Sequence, residues 1–133
     1  MRFLVVIKPE IVAHRVLRQA AIQDLQNNGI IIEKMRNMRI DKSLATRLYE
    51  QHKGKFFYDR LVRHISSGEI IAMRVVGNAR NIIGSSRLWP RMAENVDELK
   101  MRHRMALSDV RNVAHSSDEE AAMAELQLFD LLE

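Results

Sequence analysis

"RFLVVIKPE", residues 2–10, sets five apolar side chains in a row, Phe3 to Ile7, and then a proline. An apolar run that short, stopped at Pro9, reads as a buried strand. A strand so early gives the rest of the chain a sheet to pack against. Ala13, Leu17, Ala21 and Leu25 then recur every four residues, which predicts an amphipathic helix over about residues 11–27, ended at Gly29. "GIIIEKMRNMRI" predicts a second strand from Ile30 to about Ile40. Asp41 or Ser43 offers an N-cap for a helix through about Gln51, "KGK" breaks it, and "FFYDRLVRHI" predicts a further short helix. "SSGEIIAMRVVG" is a turn followed by a strand over Glu69–Val76, and residues 78–84 predict one or two helical turns.

Residues 85–111 are irregular and charged, with one turn expected around Val96–Met101. A connection that long inside a compact domain is usually functional or mobile. In "NVAHSSDEE", residues 112–120, Val113 and Ala114 fit a short strand and Ser117 or Asp118 a helix cap. Ala122, Leu126 and Phe129 fit the inner face of a final helix. The order predicts an α+β fold, a ferredoxin-like βαββαβ arrangement with four antiparallel strands and helices packed on the sheet. Residues 1–133 are expected to form one domain.

Composition excludes several functions. There is no cysteine, hence no disulfide and no thiolate metal site. The five histidines form no H-x-x-x-H pair, so zinc is not expected. No apolar run approaches the roughly 18 residues of a membrane span. The strand begins at once, so neither a signal peptide nor a presequence is expected. A net charge of +4 favours phosphate-bearing partners. Nucleic acid is an unfavoured partner: an RNA-binding sheet of this kind needs aromatics on its central strands, and "IIIEKMRNM" and "EIIAMRVV" have none. His115 stands out at the mouth of a strand, facing a helix N-terminus. A neutral imidazole is a nucleophile near neutral pH, and one nitrogen can be held while the other attacks.

"VVIKPEIV", "YEQHKGKFFYDRLV", "SSGEIIAM" and "RNVAHSSD" occur in the order and approximate spacing of nucleoside diphosphate kinases, and the chain resembles that family over nearly its whole length. "VAH" at residues 12–14, after the KPE step, "KFFYDRLV" and "LSDVRN" look most like its nucleoside diphosphate kinase 6 subgroup. The resemblance implies a ping-pong kinase. A nucleoside triphosphate would phosphorylate His115, and the phosphohistidine would phosphorylate a nucleoside diphosphate. Magnesium would arrive on the nucleotide phosphates, with no protein metal site. Glu125 would fix the imidazole tautomer, although the chain from His115 to Glu125 is one residue shorter than the family pattern. Lys8, Arg102 and Asn112 would bind phosphate and ribose. Tyr49 and Ser117 would position the histidine and its phosphate. Phe57 and Leu61 would stack the base, while Phe56, where the family often has proline, is assigned to the core. Arg80 and Ser86 would meet phosphate if "RNIIG" is aligned with the family arginine step, and Arg87 competes with Arg80 for that role.

The chain also departs from the family. "DELKMRHR" replaces a proline-glycine-threonine step, Ser116 replaces a glycine after the histidine, and Asp109 falls where an apolar base contact is usual. Looser nucleotide binding follows as an expectation. The family hexamer is left open beside a dimer, a monomer or a complex with another protein. Residues 94–104 are expected to order on nucleotide. The resemblance also leaves the compartment open between cytoplasm and mitochondrion. A weakly active or inactive nucleotide-binding scaffold subunit is the alternative to the enzyme.

Overall fold

The computed structural model describes residues 1–83, 101 and 113–132. Strand β1 spans Arg2–Ile7, and helices α1 (Pro9–Val12) and α2 (Arg15–Asn27) follow it. Next come β2 (Ile31–Met38), α3 (Lys42–Leu48), a 3-10 turn (Glu50–His52), α4 (Tyr58–Ile65), β3 (Ile70–Val76) and α5 (Ala79–Ile83). Strand β4 (Ala114–Ser116) and helix α6 (Ala122–Leu128) close the described chain. The four strands form one antiparallel sheet in the order β2-β3-β1-β4. That is the ferredoxin-like order expected from the pattern.

Strand β1 is central, with β3 on one side and β4 on the other. Its side chains alternate between two cores. Phe3, Val5 and Ile7 meet Ala21 and Leu25 of α2 and Ala79 and Ile83 of α5. Leu4 and Val6 meet Leu48 of α3, Leu61 and Ile65 of α4, and Leu126 of α6. Both faces are covered, which is why the run is apolar at every position. Each such fully buried aliphatic side chain contributes about 1.5–3 kcal/mol of transfer free energy.

The expected helix over residues 11–27 is two helices. Pro9 does not merely stop the strand. It occupies the first turn of α1, where a missing N–H costs nothing. His14 then leaves helical geometry (φ −113°, ψ 107°), and its Nδ1 caps α2 by accepting from the Leu17 N–H at 3.4 Å. Ala13 is therefore exposed between the helices, and the inner stripe runs from half-buried Leu17 to buried Ala21 and Leu25. The expected end holds: Gly29 (φ 84°) closes α2, with Ile30 N–H donating to Leu25 O and Gly29 N–H to Gln26 O. Asp41, not Ser43, caps α3 through the Leu44 N–H.

Candidate active site

Strand β4 carries His115. Register sets it opposite Val6, so its side chain leaves the sheet on the α3–α4–α6 side. Ser116, one residue on, faces the other way opposite Val5. Serine in place of glycine therefore does not crowd the imidazole. Ser117 is buried, and its Oγ accepts from the Leu4 N–H at 2.8 Å while its own N–H donates to Leu4 O at 2.9 Å. These two bonds continue the tie between β4 and β1 beyond the last paired residue. The Asp118 carboxylate accepts from Ala121 N–H at 2.8 Å and turns the chain into α6.

In α6, Leu126 and the adjoining Phe129 lock the helix on the sheet. That docking brings the carboxylate of Glu125 to Nε2 of His115, and both side chains are nearly buried. A carboxylate only accepts, so Nε2 carries a proton and Nδ1 of the neutral ring holds the lone pair. The shorter connection between the two residues is no obstacle to their meeting. Tyr49, buried at the C-terminus of α3, sets its ring perpendicular to the imidazole at a centroid distance of 5.6 Å.

Lys8 follows β1 and is buried. Its charge acts on two titratable neighbours, Glu10 and His52. The ring of His52 lies 5.6 Å from that of Phe57, and its Nδ1 is 3.1 Å from the Lys55 ammonium. An ammonium only donates, so this Nδ1 accepts. Burial first, and then Lys55, His115 and Lys8, push the His52 pKa down. Phe57 is half-buried, and Leu61 is buried behind it. Phe56 is not core: it is 74% exposed, with its ring 5.4 Å from that of Phe57. Of the two touching rings, Phe57 is the half-buried one and Phe56 the exposed one.

Three residues that spacing alone did not single out complete the surroundings. Glu10 of α1 bonds His64 Nε2 of α4 at 2.7 Å through one oxygen, and accepts from the Val113 N–H at 2.9 Å through the other. Lys8 N–H donates to Val113 O at 2.9 Å. Val113 itself is buried at φ 85°. Burial resists ionisation of Glu10, but His64, the Val113 N–H and Lys8 together hold its carboxyl below the usual range.

Glu10 and His52 fix the sign of the acid response. His52 resists protonation when folded, so the unfolded chain binds that proton first. Stability should be full above the ordinary histidine value of 6.5 and fall as pH drops through it. Glu10 adds a second loss as pH falls below its ordinary 4.5 toward its lower folded value. Urea unfolding from pH 8 to 3 checks this, and His52→Asn should remove only the first decline. An undiminished first decline in that variant would place its origin elsewhere.

Arg80 lies on α5 and lines a cleft of about 740 Å³ with Phe3, Asn78, Asp118, Glu119 and Glu120. Ser86, Arg87, Arg102, Asp109 and Asn112, and the segment 94–104 apart from Met101, lie outside the described residues. Met101 is buried in the α2-side core.

A family model described as nucleoside diphosphate kinase matches residues 2–130. The nucleoside diphosphate kinase of Ignicoccus hospitalis is 35% identical over 96% of this chain and 87% of that protein. Human nucleoside diphosphate kinase 6 is 34% identical over 86% of this chain and 63% of that protein. Among solved structures, the Halobacterium salinarum nucleoside diphosphate kinase in complex with CDP superposes with a TM-score of 0.82 and 29% identity, covering 97% of this chain and 86% of that one.

Proposed function

The chain belongs to the nucleoside diphosphate kinase family, with a likeness to its nucleoside diphosphate kinase 6 members, and from that premise we propose that it moves the γ-phosphate of a nucleoside triphosphate to a nucleoside diphosphate through a phosphohistidine at His115. One observation carries the reading: the Glu125 carboxylate holds Nε2 of His115, which leaves Nδ1 as the attacking atom.

In the first half-reaction the Nδ1 lone pair forms a bond to the γ-phosphorus. The bond from that phosphorus to the β–γ bridging oxygen breaks, and the nucleoside diphosphate leaves with its electron pair. The ring becomes positive on phosphorylation, and the Glu125 carboxylate balances that charge without taking the proton. In the second half-reaction a terminal oxygen of another nucleoside diphosphate attacks the phosphorus and returns Nδ1 to its resting state. Catalysis of this kind rests on positioning and on fixed positive charge. Lys8, with its ammonium withdrawn from solvent, is the described residue suited to supply that charge. Arg102, Asn112 and one of Arg80 or Arg87 are proposed to supply the rest, with Ser86 offering a hydroxyl. Tyr49 packs against the imidazole edge and limits its rotation. Magnesium would arrive with the nucleotide phosphates and would offset their negative charge during transfer, beside the fixed charge of Lys8.

Phe57 and Leu61 are proposed to stack the base. Every base offers a π face, so such a platform accepts them alike. Phe57→Ala should raise the dissociation constants of all nucleoside diphosphates together, by about 1–3 kcal/mol. Calorimetric titration with a purine and a pyrimidine diphosphate reads this, and a loss confined to one of them would contradict an open platform.

Incubation with γ-labelled ATP tests the function itself. The protein should take up label that acid removes and base preserves, and should release it to a nucleoside diphosphate. A chain that binds nucleotide and takes up no label is instead the scaffold subunit.

A further inference from the structure

No step of the proposed transfer uses Glu10, yet it joins three parts of the site. Its carboxylate reaches from α1 to His64 on α4 and to the backbone of Val113, and its side chain is only 7% exposed. Val113 needs such a hold. A β-branched residue at φ 85° lies where glycine is at ease and valine is strained. Released, Val113 would relax toward extended backbone and turn the chain that enters β4, two residues before His115.

Two bonds oppose that relaxation, and both come from one short segment. The Val113 N–H donates to Glu10 Oε2, and the Val113 carbonyl accepts from the Lys8 N–H. The lysine proposed to meet phosphate and the histidine proposed to accept it are thus held in register through Val113. His64 keeps the Glu10 carboxylate in place at its other oxygen.

We propose that Glu10 is a positioning residue for the transfer: anchored by His64, it holds Val113 at positive φ and so fixes how β4 presents His115 to a phosphate on Lys8. This rests on His115 being the phosphoacceptor. The test is the rate of His115 labelling from γ-labelled ATP in rapid mixing, with nucleotide affinity and melting temperature measured on the same samples. Glu10→Ala should slow labelling about 10- to 100-fold, the scale of a misplaced reacting group, while affinity changes less than about twofold. Glu10→Gln keeps an acceptor for the Val113 N–H, and its amide donates to His64 Nε2 once that ring moves its proton to Nδ1, so it should recover most of the rate. Val113→Gly added to Glu10→Ala should also recover part of it, because glycine holds positive φ unaided. A purely structural Glu10 gives another result: a lower melting temperature, an unchanged rate per folded molecule, and no recovery from glycine. That outcome overturns the proposal. If Glu10→Ala does not fold, His64→Ala carries the test, since it leaves the carboxylate unanchored. It should slow labelling too, and an unchanged rate overturns the proposal. Absence of label on the wild-type chain overturns the kinase reading as well, whereas label on both wild type and Glu10→Ala at equal rates overturns only the role of Glu10.

Discussion

His115→Ala should take up no acid-labile, base-stable label from γ-labelled ATP and should transfer no phosphate to a nucleoside diphosphate. The expectation follows from the count of nucleophiles around the site. Among the described residues, the imidazole nearest to His115 in electrostatic reach is His52. Its Nδ1 already faces the Lys55 ammonium at 3.1 Å, which occupies that lone pair. Ser117 is tied to Leu4 through its Oγ. The substitution should leave the fold standing. The backbone pairing of residue 115 with Val6 does not depend on the side chain. Its cost is the buried Glu125 carboxylate left without a partner, on the order of 1–3 kcal/mol. Nucleotide should still bind, since Lys8, Phe57 and Leu61 are untouched. Label retained in folded His115→Ala would move the phosphate to another residue, and mapping the labelled peptide would name it.

The sheet was legible because its central strand is buried on both faces. Phe3 to Ile7 is apolar at every step for that reason, and no periodicity had to be inferred. His115 was legible through the motif it sits in and Glu125 only through its spacing from His115, one residue short of the family pattern; the structure adds that α6 brings the two into contact. What escaped was the part written across the chain. Glu10 and His64 are 54 residues apart, and neither spacing nor composition joins them. Val113 looked like an ordinary strand residue because valine favours strands. Its positive φ comes from two bonds to the Lys8–Glu10 segment, a tertiary cause that overrides local preference. The break at Ala13–His14 escaped for a related reason: an uninterrupted four-residue repeat hides a histidine that caps the next helix. Phe56 was assigned to the core, yet it is the exposed ring of the pair and Phe57 the half-buried one.

Glu125→Ala should slow phosphorylation of His115 by roughly 10²-fold without abolishing it, on the scale of losing one orienting contact at the reacting group. The carboxylate does two things at once. It accepts the Nε2 proton, which keeps the Nδ1 lone pair available, and it stands beside the ring as positive charge develops there. Without it the neutral imidazole can carry its proton on either nitrogen, and molecules protonated at Nδ1 cannot attack. The T-shaped contact with Tyr49 remains, so the ring keeps part of its orientation and some labelling persists. Glu125→Gln keeps an acceptor oxygen but no charge, and should fall between wild type and alanine. The nitrogen chemical shifts of the His115 ring separate this account from a loss of fold. Wild type should show a single tautomer with the proton on Nε2, and Glu125→Ala a mixture. A variant that labels at the wild-type rate, or keeps the single tautomer while losing rate, would show that Glu125 does not act through the imidazole.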